Sequence, residues 1–151
     1  MCNDGRNLER RLVEDMREVA LGTVLGGCRA VIVWNLMLDT DRGPFRPGGC
    51  GVCYGAVDID RNDWQSITLN SHYYIIGHMA SVVRPGAVRI GTASLPESSS
   101  LMYAAFRNPD GTTAFVVLNQ GEQSQTVSVK TQNGRYVNLD IPARAVCSAV
   151  W

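Results

Sequence analysis

Three groups of side chains in this sequence could do chemistry. The first is Trp34-Asn35, with Asp39 close behind. An indole face suits the C–H face of a pyranose ring, a neighbouring amide can hydrogen-bond, and a carboxylate can act as acid or base. Each has an ordinary alternative: a core tryptophan, an amide that satisfies local backbone, and an aspartate that binds a strand end or loop. For Asp39 the structural job is the expectation. The second group is Cys50-Gly-Val-Cys53, which could hold zinc, exchange thiols or close a local disulfide. Zinc needs two more ligands at suitable spacing, and the sequence has no second Cys-x-x-Cys and no His-x-x-x-His. A thioredoxin-type motif opens a helix after a strand, whereas this one lies in a glycine-rich stretch. The third group is His72 and His78, six positions apart on one expected helix and so on different faces. Neither a metal nor another cofactor is expected from these residues.

Composition narrows the classes further. The chain has 151 residues, 45% of them hydrophobic, with fourteen basic and fourteen acidic side chains. That is enough apolar surface for a real core. A zero net charge argues against nucleic acid, because phosphate neutralisation needs a basic excess. No apolar run approaches the roughly 20 residues of a spanning helix. The opening Met-Cys-Asn-Asp-Gly-Arg has no apolar stretch behind it, so no secretory signal is read there. Five cysteines are too few for a disulfide scaffold, and Cys28 and Cys147 read as buried small hydrophobes.

The elements that would position these groups follow from periodicity. Asn3 or Asp4 can cap a helix with Leu8, Leu12, Met16, Val19 and Thr23 on its inward stripe, widened by Val13 and Ala20. Glu9, Glu14, Asp15 and Glu18 alternate with Arg10, Arg11 and Arg17 on a face expected to be solvated. Gly22 and Gly26-Gly27 end the helix. Ala30–Leu38 is a continuous apolar run, the pattern of a strand buried on both faces in a parallel sheet or barrel. Ligands in such folds bind beyond the carboxyl ends of the strands, which is why the polar Asn35 and Asp39 near this end matter. A long loop, Asp39–Gly55, follows. Ala56–Asp60 and Trp64–Leu69 should form a hairpin, and Ser71–Val83 a helix capped by Asn70 or Ser71 and stopped by Arg84-Pro85-Gly86.

From Ala87 the texture changes to short strands: Val88–Thr92, Leu101–Arg107, Thr113–Leu118, Thr126–Lys130, Tyr136–Ile141 and Ala145–Val150. Turn signals at Asn108-Pro-Asp-Gly111, Asn119-Gln-Gly121 and Asn133-Gly134 separate them, and Ser98–Ser100 reads as a loop. This is an antiparallel β-sandwich pattern. The expected boundary lies near Arg84–Ala87.

Several short motifs run in one order: Trp34-Asn35-Leu36-Met37-Leu38-Asp39, Gly43-Pro44, Tyr73-Tyr74-Ile75-Ile76-Gly77-His78, Val83-Arg84-Pro85-Gly86-Ala87-Val88-Arg89-Ile90, Asn108-Pro109-Asp110-Gly111-Thr112, Val117-Leu118-Asn119 and a terminal Trp151. Together they resemble the C-terminal portion of glycoside hydrolase family 30, which includes glucosylceramidases and β-1,6-glucanases. The resemblance covers nearly the whole chain. It implies an α+β architecture in which residues 1–86 are the end of an (α/β)8 TIM barrel, from after its seventh strand through the eighth strand and the closing helix. Residues 87–151 are then the β-sandwich side domain, and His78 packs under the barrel.

By the same resemblance, Trp34 lines a glucose pocket, with Asn35 beside it as a substrate-binding candidate. The function implied is retaining hydrolysis of β-glucosidic bonds in a glucan or a glucosyl lipid. The family's catalytic pair is expected to be missing, since its nucleophilic glutamate aligns just before Met1 or, with a gap, on Met1 ahead of Cys2. No catalytic residue is therefore assigned, and the chain reads as a fragment of such an enzyme or a truncated gene. The remaining reading of Cys50 and Cys53 is a disulfide that pins the loop after the last barrel strand. Gly-Gly-Cys-x-x-Cys resembles the glucanase-like branch more than the lysosomal one, and a disulfide implies an extracellular or secretory compartment. The expected partners are a β-glucan or glucosyl-lipid substrate and the upstream barrel, with no nucleic acid and no transmembrane segment. A non-catalytic β-sandwich that binds carbohydrate or serves structure is the alternative.

Overall fold

The computed structural model describes residues 7–96, 99–131 and 133–151. Met1, Cys2, Asn3, Asp4 and Ser98 therefore lie outside the described residues. The chain groups into two compact units, Met1–Gly77 and His78–Trp151.

The first unit opens with α1 (Leu8–Asp15), a π-helical stretch (Met16–Leu21) and α2 (Gly22–Leu25). The N-cap is Asn7, whose side chain accepts a hydrogen bond from the Arg10 N–H at 3.2 Å. Gly22 follows the π stretch for a steric reason: a Cβ there would sit 2.5 Å from the Arg17 carbonyl oxygen. The buried face comprises Arg11, Val13, Asp15, Met16, Ala20 and Leu21. Arg11 and Asp15 thus leave the solvated face where periodicity put them, because they neutralise one another.

Three short strands follow: β1 (Met37–Asp39), β2 (Val57–Ile59) and β3 (Ile67–Leu69), in the order β1-β2-β3. β1 and β2 run parallel, with Met37 opposite Val57, and β2 and β3 run antiparallel. The expected strand Ala30–Leu38 forms only at its end. Its exposure alternates instead, with Ile32 90%, Trp34 65% and Leu36 75% exposed. An extended segment becomes a strand only when neighbours take its N–H and C=O groups. Here β2 reaches no further back than the carbonyls of Asn35 and Leu36, which accept from Ala56 N and Val57 N at 3.0 and 2.9 Å. Gly55 lets β2 enter this close: a Cβ there would meet backbone atoms of Val57, Leu38 and Met37 at 2.9–3.0 Å.

Helix α3 (Ser71–Val82) buries Ile75 and Val82. Its last turns belong to the second unit. Asn108 donates to the Val82 carbonyl at 2.9 Å and accepts from the Arg84 N–H at 2.9 Å. His78 Nδ1 lies 3.0 Å from Ser148 Oγ. His78 therefore packs on a sandwich strand, where the sequence had placed it under the barrel.

The second unit holds β4 (Val88–Ile90), β5 (Leu101–Arg107), β6 (Thr113–Asn119), β7 (Gln125–Lys130), β8 (Tyr136–Ile141) and β9 (Val146–Val150). Antiparallel pairing orders them β4-β5-β6-β9, with β7-β8 as a separate ribbon. Ala105, Phe115, Val117 and Ile141 form the core between sheet and ribbon, joined by Val127, Val129, Leu139 and Trp151. Strand alternation supplies these inward side chains from both layers. Asn119 is fully buried, and its amide donates to the carbonyls of Gln123, Ile141 and Pro142 at 2.8, 3.2 and 3.0 Å. Those bonds lock the strand-to-ribbon crossings. Cys147 is half-buried and Cys28 is exposed, so neither is the buried hydrophobe expected from the sequence.

Burial lowers the His78 pKa from its ordinary 6.5. A histidine depressed in the fold binds protons more readily when unfolded, so it costs stability as pH falls below about 6.5. The urea midpoint of the second unit should be lower at pH 5.5 than at 7.5. His78→Gln should flatten that difference. A slope that persists unchanged in the variant would assign it elsewhere.

Candidate functional site

β1 and β2 are parallel, so their carboxyl ends define one rim of the first unit. Asp39 closes β1 there and is 7% exposed. Its Oδ1 accepts from the N–H groups of Asp41 and Gly43 at 2.9 and 2.7 Å. Its own N–H donates to the Gly43 carbonyl at 2.8 Å. The carboxylate folds the loop back on itself.

The loop leaving Asp39 carries Phe45 on its surface, 54% exposed, with the ring against Gly51. Cys50 and Cys53 are joined, with an S–S distance of 2.12 Å and Cα atoms 5.5 Å apart. Arg42 Nη1 donates to the Val52 carbonyl at 2.8 Å, a second tie across the loop. Trp34 and Asn35 precede β1. The Trp34 ring faces solvent, while Asn35 is half-buried and its Oδ1 accepts from Met37 N–H at 3.0 Å. The two neighbours thus point to opposite sides of an extended chain, and Asn35 is occupied with local backbone.

The hairpin between β2 and β3 stands beside the same rim. Arg61 Nη1 pairs with Asp41 Oδ2 at 3.0 Å, and Arg61 N–H reaches Thr40 Oγ1 at 3.3 Å. Asp63 Oδ1 accepts from Gln65 and Ser66 N–H at 2.8 and 2.9 Å, and Oδ2 from the Ser66 hydroxyl at 2.6 Å. Those donors, the Ser66 hydroxyl first, hold the Asp63 carboxyl below the ordinary aspartate value. Trp64, at the tip, has φ +55° and is 58% exposed. The left-handed region costs a non-glycine residue about 1–2 kcal/mol.

A buried polar cluster lies behind this rim, and sequence periodicity did not find it. Asp15 Oδ1 accepts from Arg11, and its Oδ2 accepts from the Ser71 hydroxyl. The same Oδ2 accepts from the Tyr54 hydroxyl at 3.2 Å and lies 3.7 Å from His72 Nε2. Tyr54 and His72 stack with centroids 4.7 Å apart. Burial pushes the Tyr54 phenol above its ordinary value, and burial, ahead of the nearby charges, lowers His72. The available signal was the i, i+4 spacing of Arg11 and Asp15 beside inward Met16. With its serine bonded straight to the aspartate, the cluster is no Ser-His-Asp relay. It ties α1 to the start of α3 and to the chain leaving Cys53.

Among the described residues no group of three or more His, Cys, Asp or Glu could hold a metal ion, and no helix is long and apolar enough to cross a membrane. A cavity of about 350 Å³ opens between ribbon and sheet in the second unit, lined by Ile90, Tyr103, Phe115, Val127, Lys130 and Trp151 among others. Trp34, Asn35, Cys50 and Cys53 do not line it. Its Tyr103 hydroxyl is already bonded to the Ala93 carbonyl at 2.6 Å.

A segment with a parallel strand pair, followed by antiparallel strands that cross at an Asn119 hub, makes an α+β chain ending in a β-sandwich unit. Residues 86–149 match the glycosyl hydrolase family 30 beta sandwich domain. A solved endo-β1,6-glucanase superposes with a TM-score of 0.93 at 53% identity, over 99% of this chain and 33% of that one. An endo-1,6-β-D-glucanase of Aspergillus fumigatus is 26% identical over 88% of this chain and 28% of its own length. A putative glucosylceramidase of Caenorhabditis elegans is 30% identical over 49% of this chain and 15% of its own. The chain thus spans about a third or less of the length of these relatives.

Proposed function

We propose that this chain is the C-terminal part of a retaining β-glucosidase of the endo-β-1,6-glucanase type. The observation that carries the reading is the 53% identity to a solved endo-β1,6-glucanase, kept over 99% of the chain. Glucosylceramidases match at lower identity, 23–30% over 49–78% of the chain. In this reading Ala30–Leu38 is the last barrel strand, α3 closes the barrel, and Trp34 offers its exposed ring to a glucosyl unit. Asn35 supports that strand end through its bond to Met37 N–H. The disulfide-tied loop after β1 walls the entrance, and the bonded pair suits an oxidising compartment outside the cytosol.

Retaining hydrolysis needs two carboxyl groups about 5 Å apart across the scissile bond. Asp15 and Asp39 are buried and committed to structural bonds, and in this reading both catalytic carboxylates lie outside the chain. The chain by itself should turn over neither an aryl β-glucoside nor β-1,6-glucan. Turnover that disappears in Asp39→Asn would contradict this. The positive test grafts these residues in place of the C-terminal third of the solved glucanase. The chimera should hydrolyse β-1,6-glucan, lose most of that activity in Trp34→Ala, and leave glucosylceramide intact. Preference for glucosylceramide would overturn the substrate assignment.

A further inference from the structure

We infer that Trp64 is a sugar-stacking platform for a glucan unit outside the main glucosyl pocket; this rests on the β-1,6-glucanase reading above. Two observations converge on it. The indole is 58% exposed, although burying so large an apolar side chain would stabilise the fold. It is held at φ +55°, a conformation that glycine adopts freely and a bulky residue does not. A turn built only for stability would put glycine or asparagine there, so the tryptophan is explained by what its side chain does.

The backbone that carries Trp64 is tied on several sides. Trp64 N–H donates to the Asp60 carbonyl at 2.8 Å, and Asp60 N–H donates to the Ser66 carbonyl at 2.8 Å. Asp60 Oδ1 takes the Asn62 N–H at 2.8 Å. The Asp63 carboxylate takes three donors from Gln65 and Ser66. Arg61 then anchors the turn to Thr40 and Asp41, at the carboxyl end of β1. Parallel strands present ligands at that end. An exposed aromatic face at that end offers a sugar ring a flat apolar surface. The ligand class is therefore a β-linked glucan, with the pyranose C–H face on the indole. Ile67, the first residue of β3, is exposed as well and adds apolar surface for the next unit.

The test is titration of the chain as it stands with soluble β-1,6-gluco-oligosaccharides at millimolar concentration. The Trp64 indole N–H is followed by NMR, and urea unfolding is measured in parallel. The wild-type indole signal should shift and saturate. Trp64→Phe should keep most of the affinity, and Trp64→Ala should lose about fivefold or more, the contribution of one stacking contact. Trp64→Gly should bind as weakly as Trp64→Ala yet unfold at the same or a higher urea concentration, because glycine fits the positive φ. A marked loss of stability in Trp64→Gly, with glucan affinity unchanged, would make the residue structural and overturn the inference. So would the absence of any shift in the wild-type chain. A chimera that hydrolyses β-1,6-glucan while Trp64→Ala binds like wild type would reject the platform and leave the glucanase reading standing.

Discussion

Asp15→Ala should destabilise the first unit by about 3–5 kcal/mol, the cost of leaving a buried charge without its partner. Only 3% of the Asp15 side chain and 10% of the Arg11 side chain are accessible, so solvent cannot replace the lost carboxylate. The substitution removes acceptors from Arg11, Ser71 and Tyr54 together. Arg11 keeps Glu14, at 2.6 Å, and the Tyr54 hydroxyl, while its Nε already has no partner among the described residues. Ser71→Ala and Tyr54→Phe each remove one hydrogen bond to a charged group and should cost less, about 1.5–3 kcal/mol. Trp34 and Trp64 report on the first unit and Trp151 on the second. Urea unfolding followed through each in single-tryptophan variants should show the loss in the first unit alone. An Asp15→Ala midpoint within error of wild type would mean that water reaches the carboxylate and that the cluster holds nothing together.

The sandwich was legible from the sequence because its information is local. β5 and β8 occupy the spans expected from alternation and turn residues, Leu101–Arg107 and Tyr136–Ile141. The turn Asn108–Thr112 and the crossing after Asn119 carry their own side-chain hydrogen bonds. The motifs that carry the family resemblance include these polar hubs. Asn108 and Asn119 recur as motif letters and prove to be bonded on several sides by backbone. The first unit was less legible because its information is non-local. Asp15 meets Tyr54 thirty-nine residues away and Ser71 fifty-six away. Periodicity sees a charged residue and assigns it to solvent, since it cannot see the partners that make burial tolerable. Trp64 was read only as the edge of a strand, because nothing in its neighbours marks a positive φ as Asn-Gly would.

Amide exchange should separate the two halves by about a thousandfold or more, which corresponds to roughly 4 kcal/mol between opening free energies. β6, Thr113–Asn119, is buried along its whole length and pairs with β5 on one side and β9 on the other. Its amides can exchange only when the sandwich opens. The segment Ala30–Leu36 has exposed Ile32, Trp34 and Leu36, and among the described residues it lends β2 only the carbonyls of Asn35 and Leu36. Carbonyl acceptance at one end does not protect the N–H groups before it. Its amides should exchange close to the rate of an unfolded chain, while β6 exchanges at the global rate. The comparison is made on a dilute monomeric sample by mass spectrometry of peptides covering both segments. Adding a protein that supplies the upstream barrel should then slow exchange in Ala30–Leu36 and leave β6 unchanged, because a parallel neighbour would take up the free edge of that segment. Equal protection of the two segments in the chain alone would mean that Ala30–Leu36 is paired within it, and the assignment of this run as a barrel strand awaiting neighbours would fail.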